Sequence, residues 1–263
     1  MTKVIPYFMT AVALLTAICT VTAVEHKQMT MITNKSDKVN IYMAGFGTVT
    51  IDWGEGTEIE TYMLSPSTWA DSITSSHTYN HTYSHILNRR RTVTIFGENI
   101  THLICDANQL IHLDVSRNTS LTSLSCENNQ LTYLDVSNNT ALKHFNCSNN
   151  KLTNLNVSNN TVLRSLLCTM NKLTELDVSN NTVLINLICV NNHLTKLDVS
   201  KNTALAWLYC DSNKFTADAL NDLFDILHSN TYFGVNIISI DNNPGTNHCD
   251  RSIAVNKGWI FKQ

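Results

Sequence analysis

Three histidines at four-residue spacing, His77, His81 and His85, are the side chains in this chain whose type and spacing first suggest chemistry. On a helix, that spacing puts imidazoles on one face, where two could share a metal ion. Their segment, HTYNHTYSH, lies between VTIDWGEGTEIETYML (49–64) and RRTVTIFGENIT (90–101), which alternate apolar and polar residues as β-strands do. As a strand, it holds His77 and His81 about 13 Å apart. The expectation is therefore aromatic packing on a sheet face, with no metal site. A second candidate is the acidic column Asp114, Asp135, Asp177 and Asp198, interrupted by Asn156. Stacked carboxylates repel, and a calcium ion could relieve that. A serine follows each of these aspartates by two residues, as in Ser116 and Ser137, so the simpler expectation is a hydrogen bond to a nearby Ser, Thr or backbone donor. Calcium stays open as the alternative. No P-loop, G-x-S-x-G, H-E-x-x-H or paired C-x-x-C occurs. The chain carries no catalytic constellation and calls for no cofactor.

The third chemical feature is a cysteine series. Cys105, Cys126, Cys147, Cys168, Cys189 and Cys210 follow one another at intervals of 21 residues. Each fills the same slot of a repeated phrase, such as LTSLSCENNQLTYLDVSNNTA (121–141). A fixed period of this size means a solenoid whose units bury their apolar faces by stacking on their neighbours. Five full repeats run from Ile100 to Ala204, and a sixth begins at Leu205 and loses its pattern after Phe215. Each half-repeat offers an extended segment with alternate residues inward, Leu124 and Cys126, then Leu134 and Val136, and stacked copies of both are expected to pair in parallel. Two asparagine columns follow these segments. One starts with Asn108 and Asn129, the other with Asn118 and Asn139. Asparagine tolerates turn conformations and its amide can satisfy unpaired backbone groups, so both columns are expected to be structural.

The phrases L-x-x-L-x-C-x-x-N-x-L and L-x-x-L-D-V-S-x-N resemble the signature of leucine-rich repeats, with cysteine in the third apolar slot. The nested 10- and 11-residue halves are similar to the short 21-residue class found in secreted and surface proteins of Gram-negative bacteria. The match covers about 115 residues. It implies a mainly β leucine-rich repeat solenoid of about five to six repeats. It also implies recognition or adhesion outside the cell, although a fold alone does not fix a function.

The region from 24 to 99 lacks the repeat. Trp53-Gly54-Glu55-Gly56 and His77-Thr78-Tyr79 resemble the W-G-D-G turn and H-T-Y element of a PKD-type β-sandwich, with Glu55 in place of Asp and the HTY doubled. Val93 and Ile95 lead through Gly97 into the first repeat without a linker, so this region is expected to dock as a cap. Beyond the repeats, Thr216 can N-cap a helix with a Leu220, Leu223, Phe224, Leu227 stripe. NIISIDNNPG (236–245) echoes the second half-repeat, matching Ile238, Ile240 and Asn243 to Leu134, Val136 and Asn139. A short helix near 249–255 and a strand at Trp259–Phe261 complete an α/β C-terminal cap.

The 263 residues carry a net charge of −3, which gives nucleic acid no electrostatic footing. The N-terminus has a lysine, an apolar run and Val-Thr-Ala before Val24, which reads as a secretory signal ending at Ala23. A membrane anchor is the runner-up, and lipid attachment at Cys19 a weaker alternative, because Thr-Ala-Ile makes a poor lipobox. The domain reading is therefore signal 1–23, PKD-like cap 24–99, solenoid 100–215 and C-terminal cap 216–263. The expected location is secreted or on the outer cell surface. The ladder cysteines are expected to be free, buried thiols, because stacked side chains point the same way rather than at each other. Cys249 has the most freedom to pair.

Only the outward slots of the first strand vary. Toward the C-terminal repeats they collect Leu167, Met170, Ile188, Val190, Trp207 and Tyr209. Exposed apolar and aromatic residues clustered on a repeat face suggest a protein partner. The alternatives are burial of this patch under the C-terminal cap, or aromatic stacking on sugar rings in a glycan-binding accessory protein.

Overall fold

The computed structural model describes residues 27–54, 56, 59–66, 77–83, 90–230 and 234–262. The expected signal segment with Cys19, and also Glu55 and His85, lie outside the described residues. Within them, no helix is long and apolar enough to cross a membrane.

Strands β1 (Gln28–Thr33), β2 (Lys38–Asp52), β3 (Glu60–Leu64), β4 (His77–Thr82) and β5 (Arg91–Phe96) pair antiparallel. Then come β6 (Asn99–Ile104) and β7 (Leu110–Asp114), the two halves of the first repeat. The long strand β2 lies against β6 with Met43 opposite Leu103. Strand β1 lies against β7 with Met31 opposite Leu113. Both halves of the first repeat are thus closed by antiparallel pairing. Met29, Met31, Met43 and Ile51 join one buried apolar cluster with the repeat leucines. Gly54 permits this packing, because it adopts φ +82° and a Cβ there would sit 2.2 Å from the Thr92 carbonyl oxygen.

From β6 onward the strands run parallel and in register: β8 (Ser123–Ser125), β9 (His144–Asn146), β10 (Ser165–Leu167), β11 (Asn186–Ile188) and β12 (Trp207–Tyr209). The stack continues into β13 (Asn236–Ser239) and β14 (Trp259–Phe261). Helix α1 (Ala217–Ile226) is inserted before β13, and a short α2 (Ser252–Asn256) before β14. Thr216 caps α1 by accepting the Ala219 amide at 3.2 Å. Gly245 lets the chain pass the start of α1, where a Cβ would lie 2.2 Å from the Ala217 nitrogen.

Two sequence expectations are corrected. The second half-repeats do not form stacked parallel strands. Beyond β7, the segments around Leu134, Leu155, Leu176 and Leu197 are irregular. The backbone between second halves keeps one bond per step, such as Lys151 N–H to the Leu131 carbonyl at 2.8 Å. A turn in which Asp135, Asn156, Asp177 or Asp198 accepts the amide two residues on closes each segment. The second correction concerns 236–245, which continues the first half-repeat. Ile238 pairs with Leu208, so Ile240 takes the cysteine slot and Asn243 extends the first asparagine column. The Asn243 amide donates to the Cys210 carbonyl at 3.1 Å and its Oδ1 accepts the Asn213 amide at 3.0 Å.

The two asparagine columns do different work. Asn150 Nδ2 donates to the carbonyls of Cys126 (2.9 Å), Cys147 (3.1 Å) and Ser148 (3.2 Å), while its Oδ1 accepts the Leu131 amide at 3.0 Å. Asn160 Nδ2 donates to the Val136 (3.0 Å) and Asn139 (2.9 Å) carbonyls, and its buried Oδ1 accepts nothing. Those two carbonyls keep other donors, the amides of Asn139 and Leu142. Deleting the Asn150 amide leaves the buried Leu131 N–H without an acceptor, which costs about 1–3 kcal/mol on its own. Asn150→Ala should therefore destabilise clearly more than Asn160→Ala in denaturant unfolding. Equal losses, or the reverse order, would refute the assignment of roles.

Candidate functional site

The strand face is built by register. Side chains that alternate with the buried leucine and cysteine point outward, and neighbouring strands place like slots about 4.8 Å apart. Leu167, Ile188 and Tyr209 are directly paired along β10, β11 and β12. Trp207 pairs with Ile237, and Ile237 with Ile260, extending a second apolar row to the last strand. Leu167, Ile188, Val190, Trp207 and Tyr209 are half-buried, because each is flanked by its neighbours in the stack. Met170 is 49% exposed. Lys262 covers part of the Tyr209 ring, with its Nζ 4.7 Å from the centroid. Helix α1 packs elsewhere, alongside the second half-repeats.

The N-terminal part of the same face is polar and internally bonded. Asp106 Oδ1 accepts Ser125 Oγ and the Glu127 amide, both at 2.7 Å. Glu127 Oε2 accepts Asn146 Nδ2 at 2.8 Å. Burial pushes the Asp106 carboxyl up from its ordinary range, and these bonds oppose the shift. Burial also lowers the His102 and His144 imidazoles. Because Ser123, Ser125 and Ser165 are small, a hollow of about 220 Å³ opens between Ile104, His144 and Leu167. The face thus consists of a hollow, floored by apolar side chains between small serines, beside an apolar ridge.

Met170 stands out within the ridge. Its slot after each first strand is left-handed in every copy and is filled mostly by Asn, as at Asn128, Asn149 and Asn191. Met170 adopts φ +53° there, a conformation that asparagine tolerates and that strains other L-residues.

The other chemical candidates resolve differently. His81 stacks on Trp53 with ring centroids 5.4 Å apart and meets Tyr83 edge-on at 4.9 Å. Among the described residues, no three His, Cys, Asp or Glu side chains gather as metal ligands would. Asp114, Asp135, Asp177 and Asp198 each accept the amide of the serine two residues on at 2.8–2.9 Å. Asn156 does the same for Ser158 at 3.0 Å, which explains how it substitutes in the column. Cys105 to Cys210 are fully buried and unpaired, with several thiols directed at the next repeat's carbonyl, as Cys105 Sγ is at Ser125 O (3.4 Å). Cys249 is also free and half-buried. What the sequence did not disclose is a large groove between α1 and the second half-repeats, because an amphipathic stripe does not say which side of a solenoid its helix will flank.

Comparison with known proteins was made on this geometry. No family model matches the chain, and no curated protein matches it. Among solved structures, 76 chains match. An internalin, InlF, of Listeria monocytogenes aligns over 61% of this chain and 46% of its own, with 20% identity and a TM-score of 0.51. The fold is a leucine-rich repeat solenoid. The functional domain of InlJ from the same organism, described as including a cysteine ladder, has 38% identity over 59% of this chain and 37% of its own, with a TM-score of 0.44. A leucine-rich repeat protein of Leptospira interrogans has 18% identity over 57% of this chain and 50% of its own, with a TM-score of 0.38. The chain therefore spans half or less of the length of each of these leucine-rich repeat proteins.

Two measurements test this description. Burial raises the ladder thiols above their ordinary pKa of 9.0, with Cys147 pushed up to about 12. Above pH 9 the unfolded chain releases these protons while the folded chain keeps them. Stability is therefore full below that pH and falls as pH rises toward the folded values. Each thiol adds a slope of up to about 1.4 kcal/mol per pH unit in that window. Unfolding followed from pH 7 to 11 should stay level and then drop steeply, and Cys147→Val should make the drop shallower. Separately, Met170→Asn should raise stability by up to about 1 kcal/mol by relieving the left-handed methionine. An unchanged or lower melting temperature would count against that strain.

Proposed function

We propose that this chain is a non-enzymatic recognition or adhesion protein of the bacterial cell exterior that binds a protein partner through its strand face. The observation that carries this reading is the in-register apolar ridge Leu167–Ile188–Tyr209 beside Trp207, next to a hollow left by small serine side chains. The polar outward residues satisfy one another, as Asp106 and Ser125 do. The apolar ones gain nothing from solvent, and a partner that buried them would release that cost. Aromatic anchors dominate interface energies, which gives Trp207 and Tyr209 the leading roles, with Met170 and Val190 at the margin. The strain at Met170 supports the same reading, since a conformational cost is kept where an exposed apolar side chain is useful. The internalin-like fold is consistent with surface display. We read residues 1–23 as an export signal and 24–99 as a PKD-like cap that seals the first repeat.

Immobilised protein, probed with surface-protein extracts and with a glycan array, tests this reading. Saturable binding of a protein ligand is expected, weakened at least about tenfold in a Trp207→Ala, Tyr209→Ala double variant whose melting temperature is unchanged. Loss of sugar binding instead would establish the glycan-accessory reading. If the double variant unfolds, the ridge is structural. If it folds and binds normally, the site lies elsewhere on the molecule.

A further inference from the structure

A groove of about 890 Å³ runs between α1 and the second half-repeats of three successive repeats, away from the strand face. Its floor is apolar: Leu155, Leu176 and Leu197, each 5–7% exposed, stack one per repeat, and α1 adds buried Leu223 and half-buried Ile226. Its rim is acidic, with Glu175, Asp177, Asp198 and Asp222 set against Lys196, while Lys201 also stands close enough to act on Asp198. Hydrogen bonds from Ser179 and Ser200 lower the Asp177 and Asp198 carboxyls below their ordinary range, so both are ionised at neutral pH. Among the described residues, none of these carboxylates forms an ion pair, and the one bridge joins Arg251 to Asp241.

We propose that this groove docks a cationic segment of a partner polypeptide, one in which lysines or arginines flank apolar side chains. The floor rewards apolar side chains that leave water, and the rim rewards cations and opposes an acidic segment. A bare divalent cation fits less well, because the carboxylates are spread along the stack and no three of them converge. The site is independent of the strand face, which lies across the apolar core from it.

The fold itself supplies a conservative test. Asn156 already occupies the same slot as Asp177 and Asp198 and makes the same turn bond, so asparagine there removes charge without removing the cap. The full chain is titrated, by fluorescence anisotropy at low salt, with labelled synthetic peptides of leucine and lysine, of serine and lysine, and of leucine and glutamate. The leucine–lysine peptide should bind best, and the leucine–glutamate peptide should not bind. The triple variant Asp177→Asn, Asp198→Asn, Asp222→Asn should weaken the first at least about tenfold, as should added salt. Asp222→Lys, on the exposed side of α1, serves as a second variant should the triple lose its melting transition. Equal affinity for the leucine–lysine and serine–lysine peptides would overturn the proposal, since the floor would then play no part. So would unchanged binding by the charge variants, or loss of binding in the Trp207→Ala, Tyr209→Ala variant instead.

Discussion

Everything in this molecule depends on one side-chain amide, placed once per repeat where the chain turns away from its strand. A solenoid turn leaves backbone groups inside the protein that neither strand nor water can reach. Asn129, Asn150, Asn171, Asn192 and Asn213 answer that need from both sides. Each donates to the cysteine carbonyl of its own repeat and to that of the repeat before, and each accepts a leucine amide across the step. The bond is at once a turn and a clamp, so it fixes the spacing of the copies. Once the spacing is fixed, every fourth-slot apolar residue lands on its predecessor, Leu124 on Leu103 and Phe145 on Leu124. At the C-terminal end Ile240 takes the cysteine slot, beside Cys210.

The same constraint explains what the sequence reveals and what it hides. A residue whose role recurs every 21 positions announces itself by recurrence, so the solenoid, the buried thiols and both asparagine columns are legible before any coordinate is known. Roles that depend on hydrogen-bond detail are less legible. Leu134 and Val136 alternate as a strand should, yet their segment joins no ladder. Asp135 takes the Ser137 amide just as Asp114 takes that of Ser116 at the end of β7. It is the pairing of β7 with β1 that sets the first copy apart. The pattern I-x-I before Asn243 fits either half-repeat, since both halves place two apolar residues two apart and an asparagine three further on. Only the pairing of Ile238 with Leu208 decides between them. The strand face is legible as a set of outward slots but not as a shape. That Ser123, Ser125 and Ser165 leave a hollow, while Leu167, Ile188 and Tyr209 form a ridge, depends on neighbours 21 residues away.

The ends of the stack face a different problem. A parallel array exposes core and unpaired backbone at both terminal repeats, which invites association of edges. At the N-terminal end, β2 and β1 cover both halves of the first repeat with antiparallel pairing and carry the apolar core onward without a seam. At the C-terminal end the repeat is diluted rather than stopped. Strands β13 and β14 keep the parallel register while α1 and α2 replace the second half-repeats. That replacement is what creates the acidic groove. Helix α1 flanks Leu155, Leu176 and Leu197, which stay buried at the base of the groove.

The molecule therefore presents two surfaces governed by different physics. On the strand face, backbone pairing holds side chains in rows, so changes there alter the surface without altering the backbone. Along the groove, shape comes from the position of α1 beside the repeats, and part of the charge comes from Asp177 and Asp198, which also close turns. A charge can be removed there only by a residue that still accepts the turn amide, and Asn156 is the chain's own example. The strand face can vary freely beneath a constant fold, whereas the groove's acidity is tied to the turns that hold the solenoid together. A partner selected by the groove would thus meet a surface that resists drift, and one selected by the strand face would meet a surface that can change repeat by repeat.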